Sequence, residues 1–333
     1  MQCVGLWFGA TDKGSLYISL DKSHYFPGDL VTGALHVTAL QPLQCTELAV
    51  SVAGSEEVSW TAMCHSPPVD KGNVSATLDT TNVTSTIEKK NASSTMETHK
   101  TSRRLLQKEF VFHNIPLQLL PGDHVYPFQF ELPTDLPGSF DNNDHGGIKA
   151  KISYTIRGTL SLDSLFRRGL TDTKSLFVYM RPIGFIAPSV AEANEAIRFL
   201  CCFHYGTCHV QIALSKTLYG PGDILESQCS IRNLSAKDVS SVRYELVRLV
   251  HVAAGDTRNR CSKAICSASF PGVARGEHVV QTHSLQLLGH DGTVLYPSTR
   301  GEFVSCSYVL KVSCAIGWFT SIQLELPLAI AVL

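Results

Sequence analysis

The sequence predicts an all-β protein made of two tandem immunoglobulin-like β-sandwich domains. Three observations lead to this prediction: apolar and polar residues alternate along most of the chain, Pro-Gly turn motifs separate the alternating segments, and one strand–turn–strand segment occurs twice. The chain has 333 residues, of which 44% are hydrophobic, so it can build two cores of ordinary size. Helical periodicity is nearly absent, which argues against a parallel α/β fold.

The alternation of apolar and polar residues is typical of half-buried strands in antiparallel sheets. The turn motifs FPGD, LPGD, LPGS and GPGD punctuate these strands. The best helical candidate is VAEANEAIRFL at 190–200, and it is short. The clearest strands carry the alternating apolar sets Leu16, Ile18 and Leu20; Leu48, Val50 and Val52; and Val304, Cys306, Tyr308, Leu310, Val312 and Cys314.

The segment that occurs twice contains a strand, a turn and the next strand. LDKSHYFPGDL at 20–30 aligns with LSKTLYGPGDI at 214–224 at a constant offset of 194, and six of the eleven positions are identical. The apolar alternation also matches before and after the turn, for example at Ile18 and Ile212. We interpret the repeat as the first hairpin in each of two copies of one sandwich.

The Pro-Gly-Asp residues in these motifs are expected to serve folding and not catalysis. Proline presets φ at about −65°, glycine accepts the positive φ of a type II turn, and aspartate can accept hydrogen bonds from nearby backbone N–H groups. Ser23 and His24 of the first copy are replaced by Thr217 and Leu218 in the second, so the copies share no nucleophile–base pair and no metal-ligand set. The predicted structural turn residues are Pro27, Gly28, Asp29, Pro121, Gly122, Asp123, Pro221, Gly222 and Asp223.

One segment of the first half differs from the rest in composition. Residues 61–104 are rich in Ser, Thr and Asn and contain few apolar groups, so they cannot bury enough surface to offset their ordering entropy. We expect a disordered Ser/Thr-rich insertion between two strands. It is either inert or a regulated segment, because phosphorylation beside Arg103 and Arg104 would place phosphate next to cations.

A second break separates the two predicted domains. Residues 182–197 contain two prolines and lose the alternation, which predicts an interdomain linker. The N-terminal sandwich is therefore expected at 1–181 and the C-terminal sandwich at 198–333.

Charge and cysteine content restrict the class of protein. The net charge of −1 argues against a nucleic-acid binder that works by bulk electrostatics. The eleven cysteines form no Cys-x-x-Cys pair, and the N-terminus has no signal-peptide pattern, so we expect a cytoplasmic protein with reduced thiols and no transmembrane helix. Secretion is the alternative, because Asn-x-Ser/Thr sequons occur at Asn73, Asn82, Asn91 and Asn233.

The cluster CCFHYGTCH at 201–209 combines thiol and imidazole side chains. Three interpretations are open: packed structural thiols, a zinc site of unusual spacing, or palmitoylation of Cys201 or Cys202 near the linker. We expect structural thiols and no metal. DNNDHG at 141–146 resembles a calcium loop only weakly, because it lacks the bidentate Glu, and we interpret it as a hairpin turn.

FRRGLTDTK at 166–174 places Arg167, Arg168 and Lys174 near a predicted hairpin tip. A solvated loop is the default interpretation, and contact with acidic lipid headgroups or a phosphorylated partner is the alternative. No Gly-x-Ser-x-Gly, His-Glu-x-x-His, phosphate-loop or dinucleotide motif occurs, so we expect neither an enzyme nor a bound cofactor.

The ordered set of motifs resembles the arrestin superfamily, and within it the α-arrestins. LLPGDHVYPFQFELPTDLPGSF at 119–140 is the most specific match, and LAVSVAGSEEVSW at 48–60 is similar to the central strand of the family's first domain. CCFHYGTCHVQIALSKTLYGPGDI at 201–224 is similar to the start of its second domain. The resemblance covers nearly the whole chain except the insertion.

Two departures limit what the resemblance implies. The strand SLFVYMRPI offers Met180, with Arg181 beside it, where a phosphate-sensing arginine is expected, so phosphate-triggered activation is not carried over. The chain has one Pro-Pro, at Pro67 and Pro68, and no tyrosine follows it as ubiquitin-ligase recruitment through Pro-Pro-x-Tyr requires.

The resemblance implies a cytosolic, non-catalytic adaptor. Such a protein links cytosolic segments of membrane receptors or transporters to endocytic or endosomal trafficking machinery, with ubiquitin-ligase components as further partners and peripheral contact at the plasma membrane or endosomes. No nucleic acid is expected as a partner. The alternatives are a retromer-type arrestin-like subunit of a stable sorting complex and a secreted adhesion-type sandwich.

Overall fold

The structure is a computed structural model that describes residues 10–11, 13–64, 86–87, 95–112, 118–162, 169–182, 187–199, 203–289, 292, 295–317 and 320–332. The predicted all-β class is confirmed, because the described residues form strands and one short 3₁₀ turn at His145–Gly147. No helix in this part of the chain is long and apolar enough to cross a membrane. Contacts between Cα atoms divide the chain into two compact units, Met1–Asn143 with Lys149–Tyr179, and Asp144–Ile148 with Met180–Leu333.

The first unit contains two antiparallel sheets. Its strands are β1 (Ala10–Thr11), β2 (Gly14–Leu20), β3 (Leu30–Ala39), β4 (Leu43–Cys64), β5 (Thr86–Ile87), β6 (Thr95–Val111), β7 (Gln118–Leu119), β8 (Gly122–Glu131), β9 (Phe140–Asp141), β10 (Ile148–Leu162) and β11 (Leu170–Leu176). One sheet has the order β1-β2-β3-β8, and the other has the order β11-β10-β4-β6-β5, with β7 beside β4 and β9 beside β10.

The second unit repeats this arrangement. Its strands are β12 (Ser189–Phe199), β13 (Phe203–Leu214), β14 (Leu218–Tyr219), β15 (Ile224–Ser235), β16 (Val239–Ala254), β17 (Thr257–Val273), β18 (His278–Gln286), β19 (Thr299–Arg300), β20 (Val304–Ile316) and β21 (Thr320–Ile330). One sheet has the order β12-β13-β15-β18, and the other has the order β14-β21-β20-β16-β17, with β19 beside β20 and with β14 parallel to β21.

Alternation along the strands fills both cores. The apolar residues that match across the repeat, Ile18 with Ile212 and Leu35 with Cys229, are all buried. The alternating set from Val304 to Cys314 on β20 is also buried. Within the β20 set, each residue lies two positions from the next, so all of its side chains point to one face of the pleated strand. The two sandwiches therefore follow directly from the pattern that predicted them.

The structure differs from the predicted insertion at both of its ends. Residues 61–64 belong to β4 and residues 95–104 belong to β6, and these strands pair from Ala49 with Val111 to Cys64 with Thr95. Cross-strand contacts stabilise the pairing of these polar sequences, as when Trp60 stacks on His99 with ring centroids 5.1 Å apart. The middle of the predicted insertion lies largely outside the described residues.

The predicted linker also differs, because residues 189–197 lie within β12. This strand pairs with β13 from Ser189 with Leu214 to Phe199 with Phe203, so it is the first strand of the second unit. The same residues include the best helical candidate of the sequence. Pairing along β13 outweighs the helix propensity of its alanines and glutamates, since tertiary context routinely overrides propensity.

Candidate interaction surfaces

The repeated turn is closed by its own aspartate. In the first copy, Gly28 has a φ of +83°, and the Asp29 N–H donates to the Phe26 carbonyl at 3.0 Å. The Asp29 carboxylate in turn accepts a hydrogen bond from the Phe26 N–H at 3.0 Å. These contacts form a type II turn with a side-chain cap, so this carboxylate is used inside the turn.

The second copy has the same geometry. Gly222 has a φ of +89°, and the Asp223 carboxylate accepts a hydrogen bond from the Gly220 N–H at 2.9 Å. The Lys216 Nζ lies 3.5 Å from the same carboxylate. The LPGD turn is different, because Gly122 has a φ of +137° and Asp123 accepts a hydrogen bond from the Thr38 hydroxyl at 2.7 Å.

The tyrosine before each turn connects it to a later strand or segment of the same unit. Tyr25 is buried, and its N–H donates to the Phe177 carbonyl at 2.9 Å. Tyr219 is also buried, and its carbonyl accepts from the Ala331 N–H at 2.9 Å. Burial, with a smaller effect of nearby Asp223, raises the pKa of Tyr219 to about 12. Both tyrosines are therefore neutral packing residues at physiological pH.

The predicted basic site is described only at Lys174. Arg167 and Arg168 lie outside the described residues, so their role stays a prediction. The Lys174 side chain is exposed, and its Nζ lies 3.5 Å from the Ile18 carbonyl, while the Asp172 carboxylate accepts a hydrogen bond from the Ile18 N–H at 2.9 Å. Side chains of β11 thus cap the backbone of β2, which blunts that sheet edge.

The cysteines described in the structure are packed thiols. Cys201 and Cys202 lie outside the described residues, and their proposed palmitoylation stays a prediction. Seven cysteines in the described part of the chain are free, all of them buried except the partly exposed Cys261, and burial raises the pKa of Cys208 to about 11. Cys208 is buried, whereas its neighbour His209 is partly exposed. No group of three His, Cys, Asp or Glu side chains that could hold a metal ion occurs in the described part of the chain.

The long β4–β6 hairpin contains a buried ion pair. Glu56 is fully buried, and the Arg103 Nε donates to its carboxylate at 2.7 Å across the strands. Arg103, one of the two arginines beside the predicted phosphorylation segment, is thus engaged within the sandwich. Its neighbour Arg104 is exposed and lines a cleft of about 500 Å³ together with serine and threonine side chains.

The second unit has a basic hairpin that the sequence reading missed. Arg258 and Arg260 are exposed on β17, and His251 is the cross-strand partner of Arg260 on β16. The cations occur every second residue in TRNR, so they share one face of the strand. The sequence does contain a signal for this basic face, because arginines at alternate positions lie in a segment whose flanking alternation predicts a strand.

The edges of the sheets differ in how well they are protected. β8 carries Pro127, which removes a backbone donor and is typical of a blunted edge. β12 has eleven residues and no proline. Among the residues that the structure describes, β12 forms strand pairing only with β13, and β21 of the same unit lies close to β12. β12 is therefore an unpaired sheet edge without a proline, whereas β17, a longer edge strand that pairs only with β16, carries Pro271.

Two sandwiches that each begin with the same capped turn define a two-domain arrestin-type scaffold. Comparison with known families gives the same class. Residues 15–174 match the family model described as Arrestin (or S-antigen), N-terminal domain, and residues 204–332 match Arrestin (or S-antigen), C-terminal domain. The chain belongs to the arrestin superfamily and is of the α-arrestin type, a family of adaptor proteins.

Curated relatives agree with this assignment. The chain is 25% identical over 325 residues to "Arrestin domain-containing protein A" of Dictyostelium discoideum, covering 96% of this chain and 51% of that protein. It is 23% identical over 234 residues to "Arrestin domain-containing protein 5" of Bos taurus, covering 64% of this chain and 65% of that protein. The chain thus spans between about half and two thirds of the length of these relatives.

Proposed function

We propose that this protein is a non-catalytic adaptor that binds cytosolic segments of membrane receptors or transporters and links them to endocytic or endosomal trafficking machinery. The observation that carries the proposal is the open edge of β12 on an arrestin-type scaffold. An unpaired strand edge presents backbone N–H and C=O groups to which an extended peptide can add as a further strand.

Strand addition at β12 explains how one scaffold accepts cargo of varied sequence. Backbone hydrogen bonds supply affinity regardless of side chains, while alternate side chains of the added peptide contact the sheet face. On the exposed face of β12, Glu192 lies opposite Gln211 and Asn194 opposite His209. These polar neighbours favour a peptide with polar or basic residues at alternate positions.

A cytoplasmic location is part of the proposal. Seven cysteines among the described residues are free thiols, six of them buried, which suits a reducing compartment. The secreted alternative requires accessible sequons. Asn73, Asn82 and Asn91 lie outside the described residues, whereas Asn233 is buried and its side-chain amide donates to the Lys237 carbonyl at 2.8 Å. Peripheral membrane contact through Arg258 and Arg260 is a further element, since exposed arginines are attracted to anionic headgroups.

The test is capture of membrane cargo from cells by the full chain, using variants that block β12. In a strand, neighbouring residues direct their N–H groups to opposite sides, so only one of Ala193→Pro and Asn194→Pro spares the pairing with β13. We call the variant that keeps the wild-type midpoint of thermal unfolding the edge-blocked protein. The matched control is Gln129→Pro, which lies two residues after Pro127 on β8, an edge that already lacks a donor.

We expect the edge-blocked protein to recover roughly tenfold less membrane protein, and the Gln129→Pro control to recover as much as wild type. Equal recovery by all three proteins would remove β12 as the cargo site. Recovery of no membrane or trafficking protein by wild type would overturn the adaptor role. A stable stoichiometric complex in native size exclusion would favour the retromer-type alternative.

A further inference from the structure

Three side chains with positive or titratable charge form one row on the exposed face of the four-stranded sheet in the second unit. His209 on β13 lies directly opposite Arg232 on β15, and Arg232 lies directly opposite His278 on β18. Their strand neighbours Val210 and Ile231 are buried, so alternation directs His209 and Arg232 outward. Directly opposed residues have Cβ atoms about 5 Å apart, which brings the three side chains to one place.

Arg232 is the centre of this row and has no counter-charge. It is exposed, and it forms no ion pair or side-chain hydrogen bond with the described residues. The same-face positions beside it on its own strand are Ser230 and Leu234. Arg232 therefore contributes a permanent positive charge to the row, and the two imidazoles add ring nitrogens beside it.

The two histidines of the row also have polar neighbours on the same sheet. The His209 Nε2 lies 3.8 Å from the Glu192 carboxylate on β12, and the His278 Nε2 lies 3.2 Å from the Ser230 hydroxyl. Glu192 also accepts from the Gln211 amide at 3.5 Å. The other acid near the row is Glu277, which precedes β18. No carboxylate of the described residues therefore faces Arg232 itself.

We propose that His209, Arg232 and His278 form a binding site for a phosphomonoester dianion, with an affinity that rises as pH falls. Three donor side chains in one row match the several oxygens of a tetrahedral anion better than the two oxygens of a carboxylate. Arginine supplies a permanent charge, and imidazole side chains gain charge between about pH 8 and pH 5. The site does not depend on the adaptor function proposed above.

By the offset of 194 and the strand pairing, the row of the first unit that corresponds to the site is Ser15, Thr38 and Asp123, which has no cation. A neighbouring row on the same sheet contains one histidine. Tyr17, His36 and Val125 lie opposite one another on β2, β3 and β8. Tyr17 stacks on His36 with ring centroids 4.4 Å apart, and the His36 Nε2 lies 2.9 Å from the Ser19 hydroxyl. This row has no arginine, so it serves as an internal control for the site.

The test uses sulfate, which stays a dianion across the relevant pH range, as the probe. Histidine ring signals of the full chain are followed by NMR during a sulfate titration at constant ionic strength, at about pH 6 and about pH 8. We expect the His209 and His278 signals to saturate with an affinity roughly tenfold higher at the lower pH, and the His36 signal to stay unchanged.

The variant Arg232→Gln is expected to abolish the saturable response, whereas Arg157→Gln, which removes an exposed arginine from β10, leaves it intact. The same loss in both variants, or equal affinity at the two pH values, would overturn the site. Flotation with vesicles that contain a phosphorylated inositol lipid then identifies the source of the phosphate. Arg232-dependent flotation indicates a lipid headgroup, and saturation without flotation indicates a soluble phosphomonoester.

Discussion

At the residue scale, the aspartates of the two repeated turns accept hydrogen bonds within their own turns. An aspartate at the tip of a tight turn resembles a presented ligand. Asp29 and Asp223 instead accept the N–H of the residue three positions earlier, at 3.0 Å and 2.9 Å. Their function is to hold the first hairpin of each sandwich closed.

This role predicts a stability effect at Asp29. Asp29→Ala leaves the Phe26 N–H without its carboxylate partner, so we expect a loss of about 1 to 2 kcal/mol in the free energy of unfolding. Asp29→Asn keeps an acceptor oxygen and should cost less than half as much. Urea unfolding of the three proteins gives the comparison. Equal stability of wild type and Asp29→Ala would mean that water replaces the carboxylate without cost.

The buried His283 predicts a dependence of stability on pH. It stacks on Phe270 with ring centroids 4.0 Å apart, and its Nδ1 has no hydrogen-bond partner among the described residues. Burial lowers the pKa of His283 below the ordinary value of 6.5, so the folded state binds this proton less readily than the unfolded state. The contribution of neutral His283 to the free energy of unfolding is intact above pH 6.5 and is lost as pH falls toward the lowered pKa.

The measurement is the free energy of unfolding of wild type and His283→Phe as a function of pH. Phenylalanine keeps the stack on Phe270 and removes the titration. As pH falls below 6.5, the free energy of unfolding of wild type should decrease faster than that of His283→Phe, by at most about 1.4 kcal/mol per pH unit. Parallel curves would show that this histidine does not contribute to the pH dependence.

At the element scale, the long β4–β6 hairpin combines a polar sequence with ordered pairing. The register of the two strands shifts by one residue at a bulge between Gly54 and Ser55, and Glu56 lies opposite Arg103 beyond it. Trp60 and Val58 are buried further along the same strand. The hairpin therefore gains its order from a few buried side chains, although its composition resembles that of a disordered segment.

The ion pair of this hairpin predicts a strongly non-additive pair of mutations. Arg103→Met leaves the buried Glu56 carboxylate without its partner, so we expect a loss of roughly 2 to 4 kcal/mol in the free energy of unfolding. Adding Glu56→Leu removes the stranded charge and should recover at least half of that loss. A double-mutant cycle measured by urea unfolding checks this. Additive losses would contradict the ion pair as the source of the effect.

At the scale of the whole molecule, alternation and the repeated turn were sufficient to predict two sandwiches. The prediction succeeded because alternating burial and Pro-Gly turn geometry are both determined by residues that are close together in the sequence. The strand at 189–199 was not predictable in this way, because its alanines and glutamates favour helix and its partner lies on β13.

The candidate sites were less predictable than the fold. His209, Arg232 and His278 are far apart in sequence, and only the register of three strands brings them into one row. The charge of Lys174 suggests a basic contact site, but its Nζ lies beside the Ile18 carbonyl at the edge of a neighbouring sheet. Site prediction requires cross-strand register, which a single sequence specifies only weakly.

The most direct measurement of the proposed function is amide hydrogen exchange of the full chain, with and without a peptide from a captured membrane partner. If cargo adds as a strand, alternate amides of β12 should become protected while those of β8 exchange as in the free protein. Protection confined to another surface, such as the β16–β17 hairpin, with β12 unchanged, would contradict the proposed function.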